Sequence, residues 1–342
     1  MADDVGTENQ DFDVSVIVIA YIRTQFIMKA IDSIRTKENS KFKIEIIVVK
    51  NFIEPTIDRE LNAKASKVVT TDKKTLGAKM ALGIEFSHSE ILMFLEDDDV
   101  FLDGKISSIL AFFEKETVGY VHNGYSLIDE DGKYLRKHVR KKYKVHWLNG
   151  NEPRDIFKIL NLKGNFNLSC MSVRKKLIIR YIEDLRNFQV ASDNLLFYIS
   201  LDSEYSMIFT ERELSGYRVH SSNHSISHCY TLGDFVKNKV SFLGEDIIAL
   251  RRIDKMLQSD VIRSILQDRI LIPEMMLASL NPTSRSSLCV MSILPLIHRS
   301  VKMRNVIFFP VYITFMSSRI IPGSGKVIYY ILEKIVINLN RI

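Results

Sequence analysis

EILMFLEDDDVF, residues 90–101, decides the fold. Its first half is an unbroken apolar run of strand length. A strand apolar on both faces belongs to a sheet covered by helices on both sides, as parallel sheets are. The run then meets Glu96, Asp97, Asp98 and Asp99. Four consecutive carboxylates cannot lie unpaired in a core, so they stand where the strand leaves it. In open α/β sheets ligands bind at that place, beyond the carboxyl ends of the strands.

The flanking sequence repeats the pattern. VSVIVIA (14–20) and IEIIVV (44–49) have the same buried-strand character, and Lys67–Thr71 is a shorter example. Thr24 is placed to cap a helix whose apolar face is Phe26, Ile27, Ala30, Ile31 and Ile34. Residues 75–87 predict a second helix. Strands separated by helices imply βαβ units, so the fold class is α/β, a Rossmann-like and mostly parallel sheet flanked by helices. Further on, the pattern predicts a helix over Ile106–Phe113, a strand over Gly119–Tyr125 and a turn at Asp129-Glu130-Asp131-Gly132. Residues 152–230 read as a helix, a strand (Phe166–Val173), two more helices, the second opened by Ser192-Asp193, and short strands at Ser206–Thr210 and Leu214–Val219.

Of 342 residues, 46% are hydrophobic and 26% charged, which suits a large buried core and not a polytopic membrane protein. Cys170, Cys229 and Cys289 are too scattered for a disulfide framework or a CxxC zinc site, which predicts a reducing, cytoplasmic setting. The acidic start MADDVGTENQDFD lacks the basic and apolar stretches of a secretory signal and predicts a disordered tail over residues 1–12. The net charge of +6 is uneven: from Thr231 onward, 15 Lys and Arg face 8 Asp and Glu, while the rest of the chain is nearly neutral. In this last third the apolar stretches (LCVMSILPLIH, NVIFFPVYITFMSS, KVIYYILEKIVINL) are broken by prolines and basic residues. None attains the roughly 20 apolar residues of a membrane span. They predict an α-helical, basic C-terminal region over 231–342 that lies on an anionic membrane surface, packs on the main domain or forms a homodimer. Lys133–Lys144 carries seven basic residues in twelve, either a solvated face or a contact to phosphates.

Five pieces together resemble glycosyltransferase family 2, on the GT-A type fold. VSVIVIAYIR (14–23) is similar to that family's first strand and following turn. LGAKMALGIEFSHSEILMFLEDDDVF (76–101) resembles its small-residue helix and acidic metal motif, and IDEDGKYL (128–135) its common turn. Ser192-Asp193-Asn194 stands where the family's base motif falls, and GYRVHSSNHS (216–225) resembles its Tyr-Arg-x-His segment. The resemblance covers roughly residues 12–228. It divides the chain into a transferase domain over 13–230, donor-binding to about 125 and acceptor-binding from 126, and the C-terminal region.

The implied reaction is inverting transfer of a sugar from a nucleotide-diphosphate sugar to an acceptor hydroxyl, on a glycan or lipid-linked acceptor. The leaving diphosphate needs its charge neutralised, and a hard divalent cation, Mg²⁺ or Mn²⁺, held by carboxylates does this. The resemblance implies Asp98 as the direct metal ligand, with Asp99 in the same set and Asp97 as a ribose or second contact. If the segment is extended, Asp97 and Asp99 share one direction and Glu96 and Asp98 the other. Asp193 is the implied general base; from position alone, Ser192-Asp193 is equally an ordinary helix cap. Tyr21 and Arg23 would flank the nucleotide, His220 would bind metal or diphosphate, and Arg218 would pair with phosphate. Lys50 stands where the family carries an Asp that contacts the base, which predicts no marked preference for uridine. A degenerate, non-catalytic scaffold is the alternative that Lys50 favours. A nucleotidyltransferase would carry a glycine-rich loop after the first strand, and AYIRTQF has none. The basic runs bring no nucleic-acid-binding motif with them.

Overall fold

The structure is a computed structural model that describes residues 12–22, 24–135, 142–148, 153–161, 163–220, 231–280, 308–321 and 324–331. Arg23, most of the basic run after Lys133, Cys229 and Cys289 lie outside them.

The first half alternates as expected: β1 (Val14–Ala20), α1 (Thr24–Ile34), β2 (Ile44–Lys50), α2 (Pro55–Lys64), β3 (Lys67–Thr70), α3 (Leu76–Phe86) and β4 (Ile91–Glu96). A two-residue β5 (Val100–Phe101), α4 (Lys105–Phe113) and the long β6 (Val118–Ile128) follow. Then come β7 (Val145–Leu148), α5 (Pro153–Asn161), β8 (Met171–Arg174), α6 (Lys175–Ile178), α7 (Ile182–Arg186), α8 (Ser192–Leu201) and β9 (Ser206–Arg218). The last third is helical: α9 (Leu232–Met256), α10 (Asp260–Leu280) and α11 (Phe308–Ile320).

One sheet of nine strands runs β3-β2-β1-β4-β8-β6-β9-β5, with β7 on β9. Its β3-β2-β1-β4 part is parallel, and β8 enters antiparallel between β4 and β6. The chain steps from β1 outward to β3 and returns to β4 on the other side of β1. The β1/β4 boundary is therefore the topological switch point, where an open α/β sheet forms its crevice. Both faces are covered. Every residue of β1 is buried, and its side chains divide between two core clusters, one on each face.

Two local expectations differ from what forms. The two strands expected around Ser206–Thr210 and Leu214–Val219 are one, β9, whose pairing with β6 jumps from Asn123↔Thr210 to Gly124↔Glu213. The polar Glu211-Arg212 bulge between these pairs is what a sequence reading takes for a break. The strand expected over Phe166–Val173 is shorter: Leu168–Cys170 is a 3-10 turn and the strand begins at Met171. Asn167 explains this, because its φ of 107° bends the chain out of extension. Of the placements expected for the C-terminal region, α9 and α10 take the one against the main domain. Ile247, Leu250, Ile253, Ile262 and Leu266 join the same cluster as Leu196 and Phe197 of α8.

Candidate active site

The acidic residues leave β4 at the switch point and turn at once. The Asp99 amide donates to the Glu96 carbonyl at 3.2 Å, closing a turn over Asp97-Asp98. The strict alternation of an extended segment is lost, and the three aspartates face three different partners. The Asp97 carboxylate accepts the Tyr21 amide at 2.7 Å, and the Asp97 amide donates to the Ile19 carbonyl at 3.1 Å. This residue, with no exposed surface, joins the ends of β1 and β4. Asp98 pairs with His220, Oδ2 to Nε2 at 3.0 Å. Asp99 accepts the Arg218 amide on Oδ1 and the Asn167 side-chain amide on Oδ2, each at 3.0 Å. Burial and the neighbouring Asp98 charge push the Asp99 carboxyl up to about 7.

Arg218 is a brace in this arrangement. Its Nε donates to the Asp98 carbonyl at 2.7 Å, and Nη1 donates to the carbonyls of Asp129 and Glu130 at 2.8 and 2.9 Å. The guanidinium lies 4.8 Å from the Phe26 ring centre, and the His220 ring is 5.1 Å from the same ring. It ties the acidic turn to the Asp129–Gly132 turn, which forms as expected with Gly132 at a φ of 91°. Tyr21 sits under Lys79, whose Nζ is 3.5 Å from the ring centre. Lys79 is buried and donates to the Ala20 carbonyl and to Asn51 Oδ1, pinning the ends of β1 and β2 together.

Lys50 does not face an open base pocket. Its ammonium is 2.9 Å from Asp58 Oδ1 of α2 and donates to the Phe52 carbonyl at 2.6 Å. A lysine at the end of β2 is thus accommodated by a carboxylate one helix on.

Asp193 lies in the first turn of α8 and does not cap it. The capping position is Ala191, at a φ of 59°, and Asp193 Oδ1 accepts the amide of its neighbour Asn194 at 2.8 Å. Burial raises its pKa. Among the described residues, Asp193 makes no hydrogen bond to another predicted site residue. Residues 165–167 connect the two groups: Asn167 reaches Asp99, while Asn165 donates to Asn194 Oδ1 at 2.7 Å. This short segment is fixed from beneath. His122 Nε2 donates to the Phe166 carbonyl at 2.7 Å and the Tyr120 hydroxyl to the Gly164 carbonyl at 3.1 Å.

The structure therefore joins Tyr21, Asp97, Asp98, Asp99, Arg218 and His220 into one cluster, and relates Asp193 to it only through Asn194, Asn165 and Asn167. Sequence reasoning missed Asn165, Asn167 and Lys79. The last carried a signal, a lysine at a small-residue position of LGAKMALG.

Residues 15–182 match the family model for glycosyl transferase family 2. The chain carries a domain of that family. By sequence the chain is similar to two uncharacterised glycosyltransferases. One, from Rickettsia felis, is 25% identical over 213 residues, 61% of this chain and 33% of the relative. The other, from Rickettsia bellii, is 32% identical over 130 residues, 37% of this chain and 19% of the relative. The chain thus spans a third or less of the length of these relatives. In fold it is similar to the mannosyltransferase PcManGT of Pyrobaculum calidifontis, solved with GDP-Man and Mn²⁺. The TM-score is 0.54 at 14% identity, covering 95% of this chain and 89% of that one. It is similar too to S. aureus TarS 1-349 in complex with UDP-GlcNAc, with a TM-score of 0.53 at 12% identity and 94% and 90% covered. The architecture is of the GT-A type these enzymes share.

The donor set suits a divalent cation held partly by its ligand. Among the described residues no group of three or more His, Cys, Asp and Glu forms a complete metal site. Asp98 and Asp99 are adjoining buried carboxylates; burial first, and the Asp98 charge second, push Asp99 up to about 7, a cost that a bound cation would reduce. A nucleotide diphosphate and water would supply the remaining oxygens.

Proposed function

We propose that this protein transfers a sugar, with inversion, from a nucleotide-diphosphate sugar to an acceptor hydroxyl. The observation that carries the reading is the Asp97-Asp98-Asp99 turn at the β1/β4 switch point, with residues 165–167 running from Asp99 to Asn194, the neighbour of the half-buried Asp193. Asp98, with Asp99 beside it, would hold Mg²⁺ or Mn²⁺, which supplies charge neutralisation for the departing diphosphate. Asp97 shapes the nucleotide end by fixing the Tyr21 backbone, and Arg218 and His220 hold the acidic turn in place. Asp193 accepts the proton of the attacking hydroxyl. Its raised pKa improves it as a base near neutral pH.

Lys50 shapes the choice of nucleotide. Its engagement with Asp58 and Phe52 leaves the end of β2 without the carboxylate that would read a uracil ring. We expect UDP, GDP and dTDP to bind within about tenfold of one another, a difference of one hydrogen bond or less.

The C-terminal region would rest on an anionic membrane face, near a lipid-linked or membrane-borne acceptor. Among the described residues no helix is long and apolar enough to cross a membrane. Ile313, Ile321, Val327 and Ile331 are nevertheless exposed there, in the part of the chain with the positive excess.

The test is hydrolysis and transfer across UDP-, GDP- and dTDP-sugars with Mg²⁺ or Mn²⁺, repeated with excess EDTA and with Asp98→Asn. Turnover should vanish in both controls with folding intact. Full activity in EDTA removes the metal from the mechanism, and no turnover with any donor favours a non-catalytic scaffold.

A further inference from the structure

A cavity of about 150 Å³ lies where α8 meets α9 and α10, next to Asp193. Its polar wall is Asn165, Asn194, Asp246 and Arg269, and its apolar wall includes Leu250 and Ile272. Asn165 is the residue that reaches from the acidic-turn side, two positions from Asn167. Two residues span at most about 7 Å of chain, so one short segment carries contacts to both the cavity and the acidic turn. Between the two amides stands Phe166, packed against Tyr125 and Tyr217 with ring centres 5.7 to 5.9 Å apart. All three rings are partly exposed.

The chemistry of the wall is specific. Asp246 offers acceptors only and Arg269 donors only, while the two amides offer both. Asp246 senses Asp193 and Arg269 together: its carboxyl is pushed up to about 6 by burial and by the Asp193 charge, against the pull of Arg269. The lining holds one carboxylate and one guanidinium, so a phosphate meets Asp246 and an ammonium meets Arg269. A neutral ligand dense in hydroxyls meets neither penalty and satisfies every group. Pro273, also in the wall, adds an acceptor. It has no amide proton and so deprives the Arg269 carbonyl of its regular donor four residues on. Leu250, Ile272 and the aromatic trio are suited to the C–H faces of a sugar ring.

We propose that this cavity is the acceptor subsite and that it binds a neutral carbohydrate unit, with Asp246 and Arg269 of the C-terminal helices reading its hydroxyls beside Asp193. The helices after Thr231 would then complete the reaction centre as well as support it. The proposal rests on the transferase reading above and refines it.

The experiment is saturation-transfer NMR on the full chain with UDP or GDP and Mg²⁺. The probes are the methyl glycosides of glucose, galactose, mannose and N-acetylglucosamine, with glucose 6-phosphate as the anionic arm. At least one neutral glycoside should receive saturation, and the phosphorylated sugar should bind more weakly. Two variants separate recognition from folding: Asp246→Asn combined with Arg269→Gln, and Ile272→Phe, which fills the cavity and keeps its charges. Each should weaken the glycoside at least about tenfold, the worth of charge-assisted hydrogen bonds or of the occupied space. Nucleotide binding by calorimetry should be unchanged in at least one of them. Nucleotide binding without any glycoside binding overturns the subsite, as does glycoside binding that survives in both variants. Glycoside binding to a chain that binds no nucleotide keeps the cavity as a sugar site and removes the donor reading instead.

Discussion

Replacing Asp193 by Asn removes a proton acceptor and leaves size, shape and helix-terminal preference almost unchanged. If Asp193 takes the proton as the new bond forms, Asp193→Asn lowers turnover by about 10²–10⁴, with donor affinity and melting temperature close to those of the parent. A residue that served only the first turn of α8 would leave all three unaltered. The structure sharpens this test, because Asp193 does not occupy the capping position at all. His122 gives a second test, through pH. It is buried and donates to the Phe166 carbonyl, and burial pushes its pKa down to about 4 from an ordinary value near 6.5. Between those values the unfolded chain binds a proton that the folded chain refuses. Stability is therefore full above pH 6.5 and falls as pH drops toward 4, by as much as about 3 kcal/mol. Urea midpoints at pH 7 and pH 4.5 should differ less in His122→Asn than in the parent. An equal difference would show that His122 is not the group that titrates.

Elements differ in how openly the sequence announces them. Strands β1, β2 and β4 were legible because burial on both faces leaves an unbroken apolar run, and the placement of the acidic turn followed from the cost of burying four carboxylates. The direction of each aspartate was not legible, because a turn hydrogen bond between Asp99 and Glu96 replaces the alternation of a strand. Nor was the segment from 165 to 167. Asn-Phe-Asn has no periodicity, and its role comes from contacts with Asp99, Asn194 and His122, all distant in sequence. Asp246 and Arg269 were invisible for the same reason. On α9 and α10 the charge pattern looks like a solvated face, and only the packing of these helices beside α8 brings Asp246 and Arg269 into one cavity with Asn194. That packing predicts its own consequence. Ile253 has no exposed surface and sits in the core shared with α8. Ile253→Ala should cost about 2–5 kcal/mol of global stability, read as one cooperative denaturation transition. Loss of a separate, early transition with the family 2 domain unaffected would mean that α9 folds as an independent unit.

At the scale of the whole molecule, the charge distribution has a direction. The excess of basic residues falls in the last third, which also carries the exposed Ile313, Ile321, Val327 and Ile331. Val327 and Ile331 are four apart in a helical stretch and share one face. On an anionic bilayer each nearby Lys or Arg contributes about 1 kcal/mol, screened within a Debye length of roughly 8–10 Å. Exposed isoleucines add an anchoring contribution that salt does not weaken. The two contributions are separable by their response to salt. Full-length protein should float with vesicles containing anionic lipid at low salt, float only partly at high salt, and show little binding to neutral vesicles. Val327→Glu combined with Ile331→Glu should weaken flotation under both salt conditions while leaving nucleotide binding intact. Absence of binding to either vesicle type would assign these residues to packing or to a dimer, and a sedimentation measurement of mass would choose between those two.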